Sequence, residues 1–182
     1  MIIMAKLAKT ELLIVDAYNV IGNWEHLNRL KLDNKLPEAR DELISELVEY
    51  QKYSGKEIIV VFDAMYVPGL AKSKQVNNIK VVWTNKNETA DTYIEALAAR
   101  EQSLFMQVEV ATSDHAEQWT IFSAGALRVP AQELLVSVRR TKKEIRNEAK
   151  NYNSNLTGNR VTFNEGQLDK LTQLRDKLSK DE

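Results

Sequence analysis

The chain has 182 residues, 43% of them apolar and 28% charged, enough for one globular domain with a modest appendage. It contains no cysteine, which excludes disulfides, thiolate metal sites, iron–sulfur clusters and a cysteine nucleophile, and fits a reducing, cytoplasmic setting. Twenty-five Lys and Arg stand against 26 Asp and Glu, a formal net charge of -1, so any polyanion site must come from local charge. No apolar run approaches the roughly 18 residues of a membrane span, and residues 1–9 lack the apolar stretch of a signal peptide. A soluble protein without membrane contact is expected.

Residues 11–16 (ELLIVD) read as a buried strand. A helix is expected over 37–53, with Pro37 in its first turn and Leu43, Ile44, Leu47 and Val48 on one face, stopped by Ser54-Gly55. Residues 57–63 (EIIVVFD) form the clearest strand, and 81–84 (VVWT) a shorter one. Thr89 caps a helix over 89–100 that carries Tyr93, Ile94, Leu97 and Ala98. A strand over 108–112, a helix over 115–124 ended by Gly125, and a strand over 127–129 follow. Pro130 then opens a long helix with Leu134, Leu135 and Val138. Past Ile145 the texture turns polar: 151–164 reads as a linker or weak hairpin, and 165–180 as a last helix striped with Leu168, Leu171, Leu174 and Leu178. Residues 10–150 therefore form the main domain and 151–182 an extension.

Alternating strands and helices predict an α/β fold with a mostly parallel sheet. Ligands of such sheets bind outside the carboxyl ends of the strands. Asp16 and Asp63 close the first two strands, Asp91 lies in the first turn of the next helix with Glu88 just before it, and Asp114 follows the 108–112 strand. Four acids at one edge repel and raise one another's pKa, a cost that a hard divalent cation, Mg²⁺ or Mn²⁺, relieves. The plainer alternative is that each Asp caps a helix. Asn19 would offer an amide oxygen or make a turn, and Ser113 a hydroxyl ligand or a cap.

Two basic segments flank this edge. Residues 64–86 hold Lys72, Lys74, Lys80 and Lys86 and no acid, and 65–78 reads as a long loop beside the acids. Residues 139–150 hold Arg139, Arg140, Lys142, Lys143, Arg146 and Lys150 against Glu144 and Glu148. Acids for a metal beside cations for phosphates is the pattern of a metal-dependent nuclease, although a basic helix can also be a solvated face. A glycine-rich dinucleotide loop and a P-loop are absent. Asp16 lacks the second Asp of an aspartyl-phosphate phosphatase. His26 and His115 are the only histidines, His115 reading as a surface or packing residue, and Trp24, Trp83 and Trp119 read as core or site wall.

The segments LLIVDAYNVIG (12–22), VVFDA (60–64), ETADTYIE (88–95), VATSDHAEQ (110–118) and GALRVPAQEL (125–134) resemble, in order, the YacP-like NYN-domain proteins of the PIN-like nuclease group. The resemblance spans about 12–145 and leaves the residues after Asn151 outside its motifs. It implies a PIN-like α/β/α sandwich, to which the leucine-striped C-terminal helix is an extension, and a metal-dependent endoribonuclease. The family's acids fall on Asp16, Asp63, Asp91 and Asp114 and its asparagine on Asn19. Asp16, Asp91 and Asp114 would then hold Mg²⁺ or Mn²⁺, with Asp63 and Asn19 assisting. Lys72, Lys74, Lys80, Arg139, Arg140, Lys142 and Lys143 would bind RNA. It also implies messenger RNA cleaved in association with the ribosome; the competing reading is a non-catalytic RNA- or ribosome-binding module, and a phosphatase or deoxyribonuclease is the weaker third. Ala17 stands where the family usually has Gly, a departure that matters only if φ there is positive.

Overall fold

Branched apolar residues build the centre of the sheet, and polar ones its rim. The structure, a computed structural model, describes residues 9–64, 72–114 and 125–158. Within these, six strands form one sheet: β1 (Thr10–Asp16), β2 (Glu57–Phe62), β3 (Lys72–Val76), β4 (Ile79–Trp83), β5 (Met106–Ala111) and β6 (Leu127–Val129), in the order β3-β4-β2-β1-β5-β6. Five helices accompany them: α1 (Ala17–Asn23), α2 (Glu25–Leu32), α3 (Leu36–Ser54), α4 (Ala90–Glu101) and α5 (Ala131–Gly158). The α/β expectation holds. All neighbours pair in parallel except β3, which runs antiparallel to β4.

Period-two alternation divides β1 between two cores. Leu13 and Val15 face a cluster with Val20 and Ile21 of α1, Leu27 of α2, Leu43 and Leu47 of α3, and Leu134 and Val138 of α5. Leu12 and Ile14 face Ile94, Leu97 and Ala98 of α4. Helices thus cover both faces, which is why β1 and β2 are apolar along their length. Gly55 ends α3 with φ 70, as Ser54-Gly55 predicted. Thr89 caps α4 by accepting the Thr92 N–H at 3.2 Å. Ala17 opens α1 without a positive φ, so an alanine fits there.

The structure departs from the sequence pattern in three places. Residues 72–76 are not loop: β3 pairs Lys72 with Trp83 and Val76 with Ile79 through a two-residue turn in which Asn77 has φ 51. Residues 17–32, to which the pattern assigned no element, form α1 and α2, separated at Trp24. The helix expected from Pro130 continues to Gly158, eight residues into the stretch read as linker. The helices expected at 115–124 and 165–180, with His115 and Trp119, lie outside the described residues.

By internal packing the chain divides into Met1–Lys143 and Glu144–Glu182. Both core clusters lie in the first unit, ending at Val138. A chain ending near Lys150 is therefore expected to stay folded, with a cooperative thermal transition close to that of the full chain. Global unfolding of that truncation, seen by circular dichroism, would place the C-terminal segment in the core.

Candidate active site

The sheet order reverses at its central strand. From β1 the chain steps outward through β2 to β4, and α4 then carries it back to β5 on the other side of β1. The carboxyl ends of β1, β2, β4 and β5 share one edge, and ligands of such sheets bind outside it where the connections part. Asp16 ends β1 at that point.

Asp16 is only 7% exposed. Its Oδ1 accepts the Asn19 N–H at 3.3 Å, so it does cap α1. Capping is not the whole account. Burial pushes its carboxyl up from the ordinary 3.8 to about 6; the Asn19 N–H works against this, and the charges on Asp91, Asp114 and Asp63 raise it further. Three carboxylates from distant parts of the chain are thus near enough to destabilise its ionised form. Their charges are felt at Asp16, although among the described residues these aspartates do not form a group of three with ligand atoms within 4.8 Å of one another.

The other three stand differently. Asp63, just past β2, accepts the Ala90 N–H through Oδ2 at 3.2 Å and so holds the first turn of α4 against the end of β2. Asp91, on that turn, is exposed, and no described residue hydrogen-bonds or ion-pairs with its carboxylate. Asp114 is also exposed, its N–H donating to Thr112 Oγ1 at 3.1 Å. By donor type, hard carboxylate oxygens at this edge suit Mg²⁺ or Mn²⁺.

Asn19 is committed elsewhere. Its Oδ1 accepts the Ser113 N–H at 2.8 Å and the Asn23 amide at 3.2 Å. Ser113 Oγ accepts the Ala131 N–H at 3.1 Å, and Ala131 O accepts the buried Trp24 indole N–H at 2.8 Å. This chain of bonds ties α1, the segment after β5 and the start of α5 into one frame, next to Asp114. Ser113 acts as a helix cap here, and Asn19 positions the acid-bearing segment. Asn19→Ala should lower stability by about 1 kcal/mol, because the half-buried Ser113 N–H loses its acceptor. It should also reduce metal affinity through misplacement of Asp114, which calorimetric titration with Mn²⁺ would measure.

The cations separate by strand face. Lys74 lies with its Nζ 5.5 Å from the Trp83 ring, and Trp83 stacks on Phe62 at 5.7 Å. Trp83 packs, partly buried, against the main core, and Trp24 lies within it. Ile79 and Val81 of β4 point into the α1–α3 core, so Lys80 lies on the opposite, α4 face. Lys72 holds the register position nearest the carboxyl edge. On α5, Lys142 Nζ meets Glu46 Oε1 at 3.0 Å, which occupies it with a protein carboxylate, while Arg139, Arg140 and Lys143 are exposed.

One group was not visible in the spacing of residues. His26 of α2 and Glu42 and Glu46 of α3 have ligand atoms all within 4.8 Å of one another, close enough to hold a metal ion. Only the Glu42/Glu46 spacing of four hints at it in the sequence. His26 Nε2 lies 3.3 Å from the same Glu46 Oε1 that Lys142 contacts, so an ammonium already answers that charge.

The YacP-like NYN domain family model matches residues 13–176, beyond the 12–145 span of the motifs. An uncharacterized protein, YacP of Bacillus subtilis strain 168, is 43% identical over 155 residues, 85% of this chain and 91% of its own. The crystal structure of Rae1 (YacP) from Bacillus subtilis superposes with a TM-score of 0.71 at 42% identity, covering 91% of this chain and 94% of that one. The crystal structure of a mutant of the same Bacillus subtilis protein gives 0.70 at 43% identity, covering 79% of this chain and 83% of that one. With these matches over most of its length, the chain belongs to the YacP-like NYN domain family.

Proposed function

We propose that this chain is a divalent-metal-dependent endoribonuclease that hydrolyses RNA phosphodiester bonds at the carboxyl edge of its sheet. Membership of the family supports a nuclease-type, RNA-related function. One observation carries the finer reading: Asp91, Asp114 and Asp63 act together on the buried Asp16, adding to the burial that raises its pKa to about 6. A binding module gains nothing by collecting negative charge where a polyanion must approach.

Asp16, Asp91 and Asp114 would hold Mg²⁺ or Mn²⁺. When bound, the ion lowers the pKa of its water and offsets charge developing on the phosphate. Asp63 keeps α4, and with it Asp91, against the end of β2. Asn19 fixes the segment carrying Asp114. Exposed Lys74, Arg139, Arg140 and Lys143, with Lys72 at the edge, would position the RNA backbone. The substrate form we infer is messenger RNA engaged on the ribosome, in the cytoplasm. Among the described residues no helix is long and apolar enough to cross a membrane.

The direct test is cleavage of a ribosome-bound message and of the same RNA free, each with Mg²⁺, with Mn²⁺ and with chelator. Cleavage that persists undiminished in chelator would overturn the metal assignment. Replacing Lys72, Lys74 and Lys80 by Ala should weaken RNA binding and flatten its salt dependence by up to about three counterions. An unchanged salt slope would take these lysines off the RNA path.

A further inference from the structure

We propose that a cavity beside the first turn of α4 receives one nucleotide of the RNA strand and favours a base carrying an exocyclic amine over uracil. This rests on the ribonuclease reading for the identity of the strand, and on the cavity itself for the rest. The cavity measures about 220 Å³. That is below the ~300 Å³ at which pockets for drug-sized ligands begin, and suits one planar ring system. It lies on the α4 face of the sheet edge, between β3, β4 and α4.

Its lining is that of a nucleotide site. Val82 gives an apolar surface and Tyr93 an aromatic one. Lys80 is exposed, and no described residue pairs with its ammonium. The Tyr93 hydroxyl has no hydrogen-bond partner among the described residues. Asn85 Nδ2 reaches Glu88 Oε2 at a long 3.4 Å, leaving the carboxylate most of its accepting capacity. Apolar and aromatic walls take the ring of a base, an ammonium takes a phosphate, and a carboxylate accepts from a base amine. Cytosine, adenine and guanine each offer an exocyclic amine to Glu88, whereas uracil offers only its N3–H, flanked by two carbonyl oxygens that face the carboxylate as like partial charges.

The placement connects the cavity to the acids. Glu88 lies just before the Thr89 cap and Tyr93 just inside α4, on either side of Asp91 in the chain, and Asp63 fixes that start through Ala90. On the ribonuclease reading, a strand whose phosphate meets Asp91 would run beside this turn of α4, so that a neighbouring nucleotide would reach the cavity. Such a subsite would give the enzyme a base preference next to its cut.

The test is titration of the full chain, with Mg²⁺ present, by CMP, AMP, GMP, UMP and inorganic phosphate, followed by amide NMR shifts. Saturable shifts at Lys80, Asn85 and Tyr93 are expected with CMP, and binding of UMP weaker by about fivefold or more. Glu88→Gln should remove that difference, and Lys80→Ala should weaken all four nucleotides; both residues lie at the surface of the site, so the fold is spared. Tyr93→Ala should cost about tenfold. Equal shifts with phosphate alone, or equal binding of all four nucleotides, would overturn the proposal. Absence of nucleotide binding in a chain that still cleaves RNA would remove the cavity and leave the ribonuclease reading. Selective binding without cleavage under any divalent ion would support the cavity and remove that reading instead.

Discussion

Asp91→Asn and Asp16→Asn should each lower divalent-metal affinity and cut RNA cleavage by orders of magnitude. Both changes keep side-chain shape and remove one negative charge from the cluster. Their effects on stability without metal should differ, and the structure says how. Asn caps helices as well as Asp does, so Asp16→Asn keeps the bond from the Asn19 N–H. It also removes a buried charge that Asp91, Asp114 and Asp63 oppose, so stability at neutral pH should rise. Asp91 is exposed in the first turn of α4, where a negative charge favours the helix dipole. Its neutralisation should therefore cost about 0.3–1 kcal/mol. Thermal unfolding with and without Mn²⁺, beside cleavage rates, separates the two contributions. Wild-type cleavage by both variants would end the assignment of these residues.

The acids were legible because a strand rich in branched residues has an end that can be read directly. ELLIVD and EIIVVFD each stop on Asp, and a parallel sheet places those stops at one edge. Thr89 announced α4 in the same way, through a side chain bonding within three residues. What stayed hidden depends on partners far along the chain. The KSKQV of β3 has one branched apolar residue in five, and it is a strand because β4 supplies the pairing. Lysines are what an exposed edge strand carries, so the same residues read as a basic loop. Asn19 looked like a ligand because its partner, Ser113, is 94 residues away. Lys142 looked free because Glu46 lies 96 residues before it. The separation of Lys74 from Lys80 follows from strand alternation, which a loop assignment erases.

Proton uptake by Asp16 should tie metal binding, stability and pH together. Its folded pKa of about 6 lies above the ordinary 3.8, so between pH 4 and 6 the folded state holds more protons than the unfolded one. Stability of the metal-free protein from this group is therefore fully present below about pH 4 and lost as pH rises through about 6. The span corresponds to about 3 kcal/mol. Metal binding runs the other way, because a ligand must be deprotonated. Affinity for Mn²⁺ should be nearly level above pH 7 and fall by about tenfold per unit below pH 6. Asp16→Asn should abolish both trends attributable to this group: the metal-free protein loses that part of its pH slope, and the weak residual metal binding loses its break near pH 6. Thermal unfolding from pH 4 to 8, with and without Mn²⁺, reads both slopes in one series. If the wild-type protein and Asp16→Asn follow the same pH dependence in the absence of metal, Asp16 does not hold its proton, and neither burial nor the crowding of acids at this edge raises it.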